Sequence, residues 1–281
     1  MLNILFWNLN RKKNTEHIIS CIVENDVDIA VFAEFREKDG NSMVIETAAI
    51  EHGLGDMYAW ISGVEADGKV ILLAKKSVGE VRKIQQDDRS RYSLYIVNTP
   101  MKSYILAAVH LEDRLSDPYS ASRKKTIKRL VSEIKSNEEI LRIKNTIVIG
   151  DFNANPYDEE LLDKDAFNAV LFKTIIKANE FTSPEGDRIE RFYNPIIHYL
   201  SESTEMYGSH YYDGSTKHWT PYWHCLDQVL VRKNLVDLIQ EIKYLKRIGD
   251  KSLLNRAKKP NEKISDHLPL LVTLLEVEDG T

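Results

Sequence analysis

Five short polar clusters interrupt the apolar segments of the 281-residue chain, and their side chains are of the types that hold cations and phosphates. Asn8 and Asn10 follow the run Asn3–Trp7, Glu34 ends Asp28–Ala33, and His110 ends Ser103–Val109. Gly150-Asp151-Phe152-Asn153 closes Thr146–Ile149, and Ser265-Asp266-His267 stands immediately before Leu268–Leu275. Asp227 joins them inside the apolar stretch Leu226-Asp227-Gln228-Val229. Carboxylate and amide oxygens are hard donors that suit Mg²⁺, with Mn²⁺ as a substitute; Mg²⁺ keeps several waters and usually takes only one or two carboxylates. Polar groups abutting apolar strands need partners, and convergence on one cation and one phosphate would satisfy several together. No cluster of Cys and His has zinc-ligand spacing in the sequence.

Such clusters need strands to hold them. Asn3–Trp7 and Asp28–Ala33 read as buried strands. Between them, Thr15–Glu24 places Ile18, Ile19, Ile22 and Val23 on one helical face, capped by Asn14 or Thr15. A β-α-β opening implies a sheet with helices packed outside it. Met57–Ile61, Val70–Ala74, Glu80–Ile84, Tyr92–Val97 and Ser103–Val109 then read as an antiparallel meander, with turn signals at Asp67-Gly68 and Thr99-Pro100. Ser120–Lys135 predicts an amphipathic helix with Ile127, Leu130, Val131 and Ile134 inward. Arg123, Lys124, Lys125, Lys128 and Arg129 form its expected solvated face. A strand at Thr146–Ile149, a helix near Ala166–Ala178 and a long aromatic, polar stretch over 183–225 follow. The tail supplies a strand at Leu226–Val231, a short helix from Asn234, a strand near Glu241–Leu245 and a closing strand at Leu268–Leu275. No repeat, low-complexity tract or linker divides the chain. One domain over residues 1–281 is expected, of class α/β: a four-layer α/β sandwich, two packed mixed β-sheets flanked by helices.

The balance of 38 Lys and Arg against 43 Asp and Glu gives a formal charge of −5, so any basic surface for nucleic acid must be local. A hydrophobic content of 43% is enough for a full core and excludes collagen, disulfide scaffolds and a mainly disordered chain. Cys21 and Cys225 read as two isolated thiols, with a single disulfide as the other option. The longest apolar runs fall short of the ~18 residues that a membrane helix needs. The N-terminus runs apolar then basic, the reverse of a secretory signal, so a cytoplasmic location is expected, without membrane insertion. No obligate protein partner can be inferred.

Taken in order, the blocks Trp7-Asn8-Leu9-Asn10, Ala33-Glu34-Phe35, Val109-His110-Leu111, Gly150-Asp151-Phe152-Asn153, Leu226-Asp227-Gln228 and Ser265-Asp266-His267 resemble the endonuclease/exonuclease/phosphatase superfamily, the fold of deoxyribonuclease I and exonuclease III. The resemblance covers nearly the whole chain. It implies Glu34 as the principal metal carboxylate with Asn8 beside it, Asp266 ligating or bordering the metal, and Asn10 as a further ligand where many relatives carry aspartate. It also implies that Asp151 orients or deprotonates the attacking water and Asn153 hydrogen-bonds the phosphate. His267 would stabilise the phosphate or act as general base, held by Asp227, while His110 contacts the scissile phosphate from the other side. Glu112 is a candidate partner for His110, and Arg91 a candidate phosphate contact.

The expected activity is that of a divalent-metal-dependent phosphodiesterase using Mg²⁺, a nuclease acting on DNA or RNA. One alternative is a phosphoesterase for a small substrate such as an inositol phosphate, a nucleotide or a lipid head group. Another is a catalytically silent binding module. Residue by residue, blander readings stand beside these: an Asx turn at Asp151 and Asn153, a buried structural ion pair at Asp227, a surface charge at Arg91. The loop carrying Lys251, Arg256, Lys258 and Lys259 precedes the last block and reads either as a contact to a phosphate backbone or as a solvated face. Among the aromatics, most are expected to pack the 183–225 stretch, with Tyr212 or Trp219 as substrate contacts.

Overall fold

The fold is seen in a computed structural model that describes residues 1–35, 45, 50–61, 70–114, 116–117, 119–178, 181–182, 188–201, 208–213 and 222–277. Strands are numbered in chain order. The first sheet comprises β1 (Leu2–Asn8), β2 (Ile29–Ala33), β3 (Tyr58–Ile61), β4 (Val70–Lys75), β16 (Ile239–Tyr244) and β19 (Leu270–Leu274), in the order β16-β19-β1-β2-β4-β3. The second comprises β5 (Glu80–Gln86), β6 (Tyr92–Asn98), β7 (Ser103–His110), β8 (Thr146–Asp151), β9 (Ala169–Val170), β12 (Phe192–Tyr193) and β15 (Asp227–Val231), in the order β5-β6-β7-β8-β15-β12-β9. Among the described residues, three two-stranded ribbons complete the set: β10 (Phe181–Thr182) with β11 (Arg188–Ile189), β13 (His210–Tyr212) with β14 (Tyr222–His224), and β17 (Arg247–Ile248) with β18 (Lys251–Ser252).

Near its middle each sheet holds a parallel pair, β1 with β2 and β7 with β8. Parallel neighbours need a long crossover, and helices supply it: Thr15–Glu24 in the first case and Ala121–Leu141 in the second. Side chains along the second sheet alternate between two cores, as a period of two demands. Leu106, Ile149 and Val229 share a core with the first sheet's Phe6, Val31 and Val272, which the pairing register puts on one face. Val109, Val148 and Leu230 face outward, onto Ile127, Leu130 and Ile134 of the long helix. The layers are therefore helix, sheet, sheet, helix, as expected.

Pairing registers bring the polar clusters to one edge. His110 lies opposite Asp151 across β7 and β8, and Asp151 lies opposite Asp227 across β8 and β15. β1 and β2 end together, Asn8 beside Ala33, and β19 runs antiparallel to β1 with Leu270 opposite Phe6. That last pairing returns the Ser265–His267 segment to the end of β1.

Several expectations are corrected. The meander over 57–110 is split, with β3 and β4 in the first sheet and β5 to β7 in the second. The chain changes sheets at Gly79, whose φ of 115° puts a would-be Cβ only 2.2 Å from the Asn98 carbonyl oxygen, so a side chain cannot sit there. The helix near Ala166–Ala178 is only Lys173–Lys177, preceded by β9. The short helix from Asn234 is a 3-10 segment over Lys233–Leu238. Val23, expected inward, is 46% exposed.

Arg123 is the largest departure, being fully buried instead of solvated. Its Nε donates to Glu160 Oε1 at 3.0 Å, and an Nη donates to the Glu112 carbonyl at 2.7 Å. It shares the helix face of Ile127, Leu130 and Ile134, four residues before the first of them, and a counterion from the short helix Glu159–Leu162 makes its burial tolerable. Cys21 and Cys225 are free thiols. Among the described residues, no helix is long and apolar enough to cross a membrane. The Asp67-Gly68 turn and Trp219 lie outside the described residues.

Candidate active site

Asp151 is the buried centre of the strand edge. Its Oδ2 accepts from Asn8 Nδ2 at 3.0 Å and its Oδ1 from the Asn153 N–H at 2.8 Å. Asn153 adopts φ 50°, a left-handed conformation that Asn tolerates better than most residues, and donates its amide to the Leu111 carbonyl at 3.0 Å. Gly150 explains the start of this block. Its φ is 152°, and a Cβ there would lie 2.0 Å from the Val109 carbonyl oxygen, so β8 approaches β7 only through a glycine.

His267 comes to Asp151 from the other sheet. Its Nδ1 is 2.7 Å from Asp227 Oδ2, and against a carboxylate that nitrogen carries the proton, which leaves Nε2 clear of this bond. Trp7 Nε1 donates to the His267 carbonyl at 3.1 Å, and the His267 N–H donates to Ser265 Oγ at 3.1 Å. The Ser265 hydroxyl in turn donates to the Asn8 carbonyl at 2.7 Å. Asp227 is held as firmly: its N–H donates to Ser209 Oγ at 3.0 Å, and the Tyr244 hydroxyl donates to its carbonyl at 2.6 Å.

Burial sets the acid-base character of this group. Loss of water pushes the Asp151 carboxyl up to about 7, aided by the Asp227 charge and opposed by His267, Asn153 and Asn8. For His267 burial works against the charged ring, but the charge and hydrogen bond of Asp227 outweigh it. Asp151 and Asp266 add to the effect, and the imidazole rises to about 10. A proton acceptor poised near neutrality therefore sits beside a fixed imidazolium, a pairing suited to activating water and stabilising an anion.

The rest of the rim is wetter. Glu34, at φ 51°, has a side chain 27% exposed; its Oε1 lies 3.6 Å from His110 Nε2 and its Oε2 3.6 Å from Arg11 Nε. The same His110 nitrogen is 3.9 Å from Asp151 Oδ2, so His110 lies between the two carboxylates. Asp266 is 33% exposed, yet its Oδ1 is buried without a hydrogen-bond partner. Asn10, at φ 45°, gives its N–H to Asn8 Oδ1 at 3.0 Å. Arg91 Nε faces Glu112 Oε1 at 3.5 Å, and Glu112 also accepts from the Thr126 hydroxyl at 2.9 Å. Glu112 thus anchors Arg91, while His110 approaches Glu34 and Asp151.

Donor chemistry fits a hard divalent cation. Glu34 and Asp266 are part-open carboxylates, and the orphaned Asp266 oxygen is an acceptor in need of a positive partner. Among the described residues, Asp151–Asp227–His267 and His210–Asp266–His267 are trios whose donor atoms all lie within 4.8 Å of one another, and neither includes Glu34. In the first trio, Asp227 Oδ2 and His267 Nδ1 face each other and both Asp151 oxygens accept hydrogen bonds, whereas Asp227 Oδ1 is buried without a hydrogen-bond partner.

Sequence reasoning missed several participants. Trp7, Ser209 and Tyr244 act through backbone atoms of His267 and Asp227, which no side-chain pattern reveals. His210 packs its ring on His267 with centroids 4.6 Å apart, and Tyr212 packs on His210 at 4.5 Å. His210 lies in the aromatic stretch, where its proximity to the last block could not be read.

A family model described as the Endonuclease/Exonuclease/phosphatase family matches residues 5–267. The chain belongs to that family. Solved structures share the fold. TDP2 from D. rerio, complexed with a single-strand DNA product, is 15% identical, with a TM-score of 0.62 and 98% of each chain covered. An AP endonuclease from Archaeoglobus fulgidus is 15% identical at a TM-score of 0.56, covering 98% of this chain and 99% of that one. The 3' phosphatase NExo from Neisseria, bound to a product DNA hairpin, is 16% identical at a TM-score of 0.51, covering 98% and 100%. No curated protein matches in sequence. Endonuclease/Exonuclease/phosphatase membership, together with these neighbours, supports phosphoester hydrolysis as the general chemistry.

Proposed function

We propose that this protein is a divalent-metal-dependent phosphodiesterase that cleaves nucleic acid. The observation that carries the reading is the buried junction of Asp151, Asp227 and His267, in which one carboxyl titrates near neutrality beside a carboxylate-anchored imidazolium.

Asp151 accepts a proton from the attacking water, and Asn8 and Asn153 hold its carboxylate in place for that task. The His267 imidazolium pairs with the non-bridging phosphate oxygens as negative charge builds, and Asp227 fixes the ring's tautomer and direction. His110 reaches the same phosphate from the second sheet, beside Glu34. Glu34 and Asp266, with Asn8 behind them, would hold Mg²⁺ or Mn²⁺. When bound, that ion supplies charge neutralisation of the phosphate and leaving oxygen. Nucleic acid as substrate draws support from the DNA products bound in two of the solved neighbours.

A cleavage panel tests this reading: double- and single-stranded DNA, RNA, abasic DNA and a generic phosphodiester, each with Mg²⁺, Mn²⁺ and EDTA. Metal-dependent scission of a nucleic acid, abolished by EDTA, is the expected result. Brisk hydrolysis of the small ester with nucleic acids left intact would move the substrate to a compact phosphoester. No turnover of any member would overturn the enzymatic reading.

A further inference from the structure

We infer that His210, Asp266 and His267 form a further cation site, sharing Asp266 with the set proposed for Mg²⁺, that takes a borderline divalent ion of the Zn²⁺ class in preference to Mg²⁺. One donor atom from each residue lies within 4.8 Å of the others. Two imidazole nitrogens and one carboxylate differ in kind from the all-oxygen set around Glu34. Imidazole suits zinc and its transition-metal neighbours, whereas carboxylate and water suit magnesium.

Three features of the fold prepare this trio. Residues 210 and 267 form an isolated antiparallel bridge, and the Leu268 N–H donates to the Ser209 carbonyl at 2.8 Å, so the two histidines are held by paired backbone. His267 directs Nδ1 at Asp227 from 2.7 Å, the carboxylate–histidine arrangement that orients a ring whose other nitrogen ligates metal. Asp266 Oδ1 is buried without a hydrogen-bond partner, which leaves an acceptor for a cation. Tetrahedral donors at zinc distances lie roughly 3.4 Å apart. His210 Nδ1 and Asp266 Oδ2 are 4.0 Å apart, and rotation of the part-exposed Asp266 carboxylate closes that gap. Three protein donors leave a fourth position for water or a phosphate oxygen.

This inference goes beyond the proposed hydrolysis and makes a separate demand on it. Zinc displaces the Nε2 proton of the His267 imidazolium when it binds there, and His267 cannot ligate zinc through Nε2 and serve a phosphate at once, so zinc at this site blocks a magnesium-supported reaction.

The test reads binding alone. The full chain, stripped with EDTA, is titrated calorimetrically with Zn²⁺ in excess Mg²⁺, and Co²⁺ is added in parallel as a spectroscopic probe. The same is done for His210→Ala and His210→Phe, the latter keeping a ring against His267. We expect one equivalent of Zn²⁺ that Mg²⁺ does not displace, weakened at least ~10–100-fold in both variants, with the low-symmetry Co²⁺ spectrum lost in both. Equal Zn²⁺ affinity in wild type and His210→Phe, or no saturable Zn²⁺ binding in wild type, would overturn the inference. No phosphoester is present, so neither outcome depends on whether the protein is a hydrolase.

Discussion

The two halves of the candidate site differ in how much water they see. Asn8, Asp151, Asp227 and His267 are at most 7% exposed and each is tied to the others or to backbone. Glu34 and Asp266 keep about a third of their side-chain surface open, at 27% and 33%. Burial moves pKa values, so the proton chemistry proposed above is assigned to the dry half. Ion exchange needs access and ligands that can adjust, so it belongs in the wet half. Glu34 also sits at a positive φ, a cost that a non-glycine residue carries when its direction matters.

Substitutions that break this contrast should have graded effects. Asp151→Asn or His267→Ala removes a dry-half group proposed to meet water or phosphate, and steady-state cleavage should fall at least ~10³-fold with the circular dichroism spectrum unchanged. Asp227→Asn leaves the ring but removes its anchor. Cleavage should fall ~10–100-fold, and an NMR titration should show the His267 imidazole losing its proton at a lower pH than the wild-type value of about 10. The sign follows from the cause: a carboxylate that favours the imidazolium has been neutralised.

A wet-half change should act through the ion instead. Glu34→Gln should raise the Mg²⁺ concentration for half-maximal activity ~10-fold or more, with a smaller change in rate at saturating Mg²⁺. The smallest effect concerns stability away from both halves. The Glu160 carboxyl is held below its ordinary range: burial opposes its charge, but its backbone hydrogen bond and Arg123 outweigh that burial. A depressed folded pKa contributes stability present above the unfolded value of ~4.3 and lost as pH falls through the folded one. Glu160→Gln should cost ~1–3 kcal/mol at pH 7 in urea denaturation and flatten that part of the acid limb. An unchanged acid limb would mean that Arg123 finds its neutralisation elsewhere.

Legibility in the sequence follows the same division. Asp151, Asn153 and His267 stand in contiguous blocks at the ends of apolar runs, so both the strands and the chemistry could be read there. The split of the meander could not, because strand patterning does not say which sheet a strand joins, and one glycine at residue 79 made the crossing. Arg123 was assigned to solvent because its counterion, Glu160, lies on another element, although its spacing to Ile127 already placed it on the inward face. His210 was unreadable for a related reason. Its partners, Asp266 and His267, reach it through a single backbone bridge between distant segments.

The pairing of β1 with β19 also bears on when the candidate site can assemble. Leu2 lies opposite Leu274, so one edge of β1 stays bare until β19, about 270 residues further on, has been made. Contacts so distant in sequence form late and carry a large loop-closure entropy. During synthesis β1 and β2 would emerge with an apolar edge awaiting its neighbour, a surface prone to pairing with other chains. The candidate site is therefore incomplete until β19 docks, and the step that covers that edge is the step that delivers His267 to Asp151.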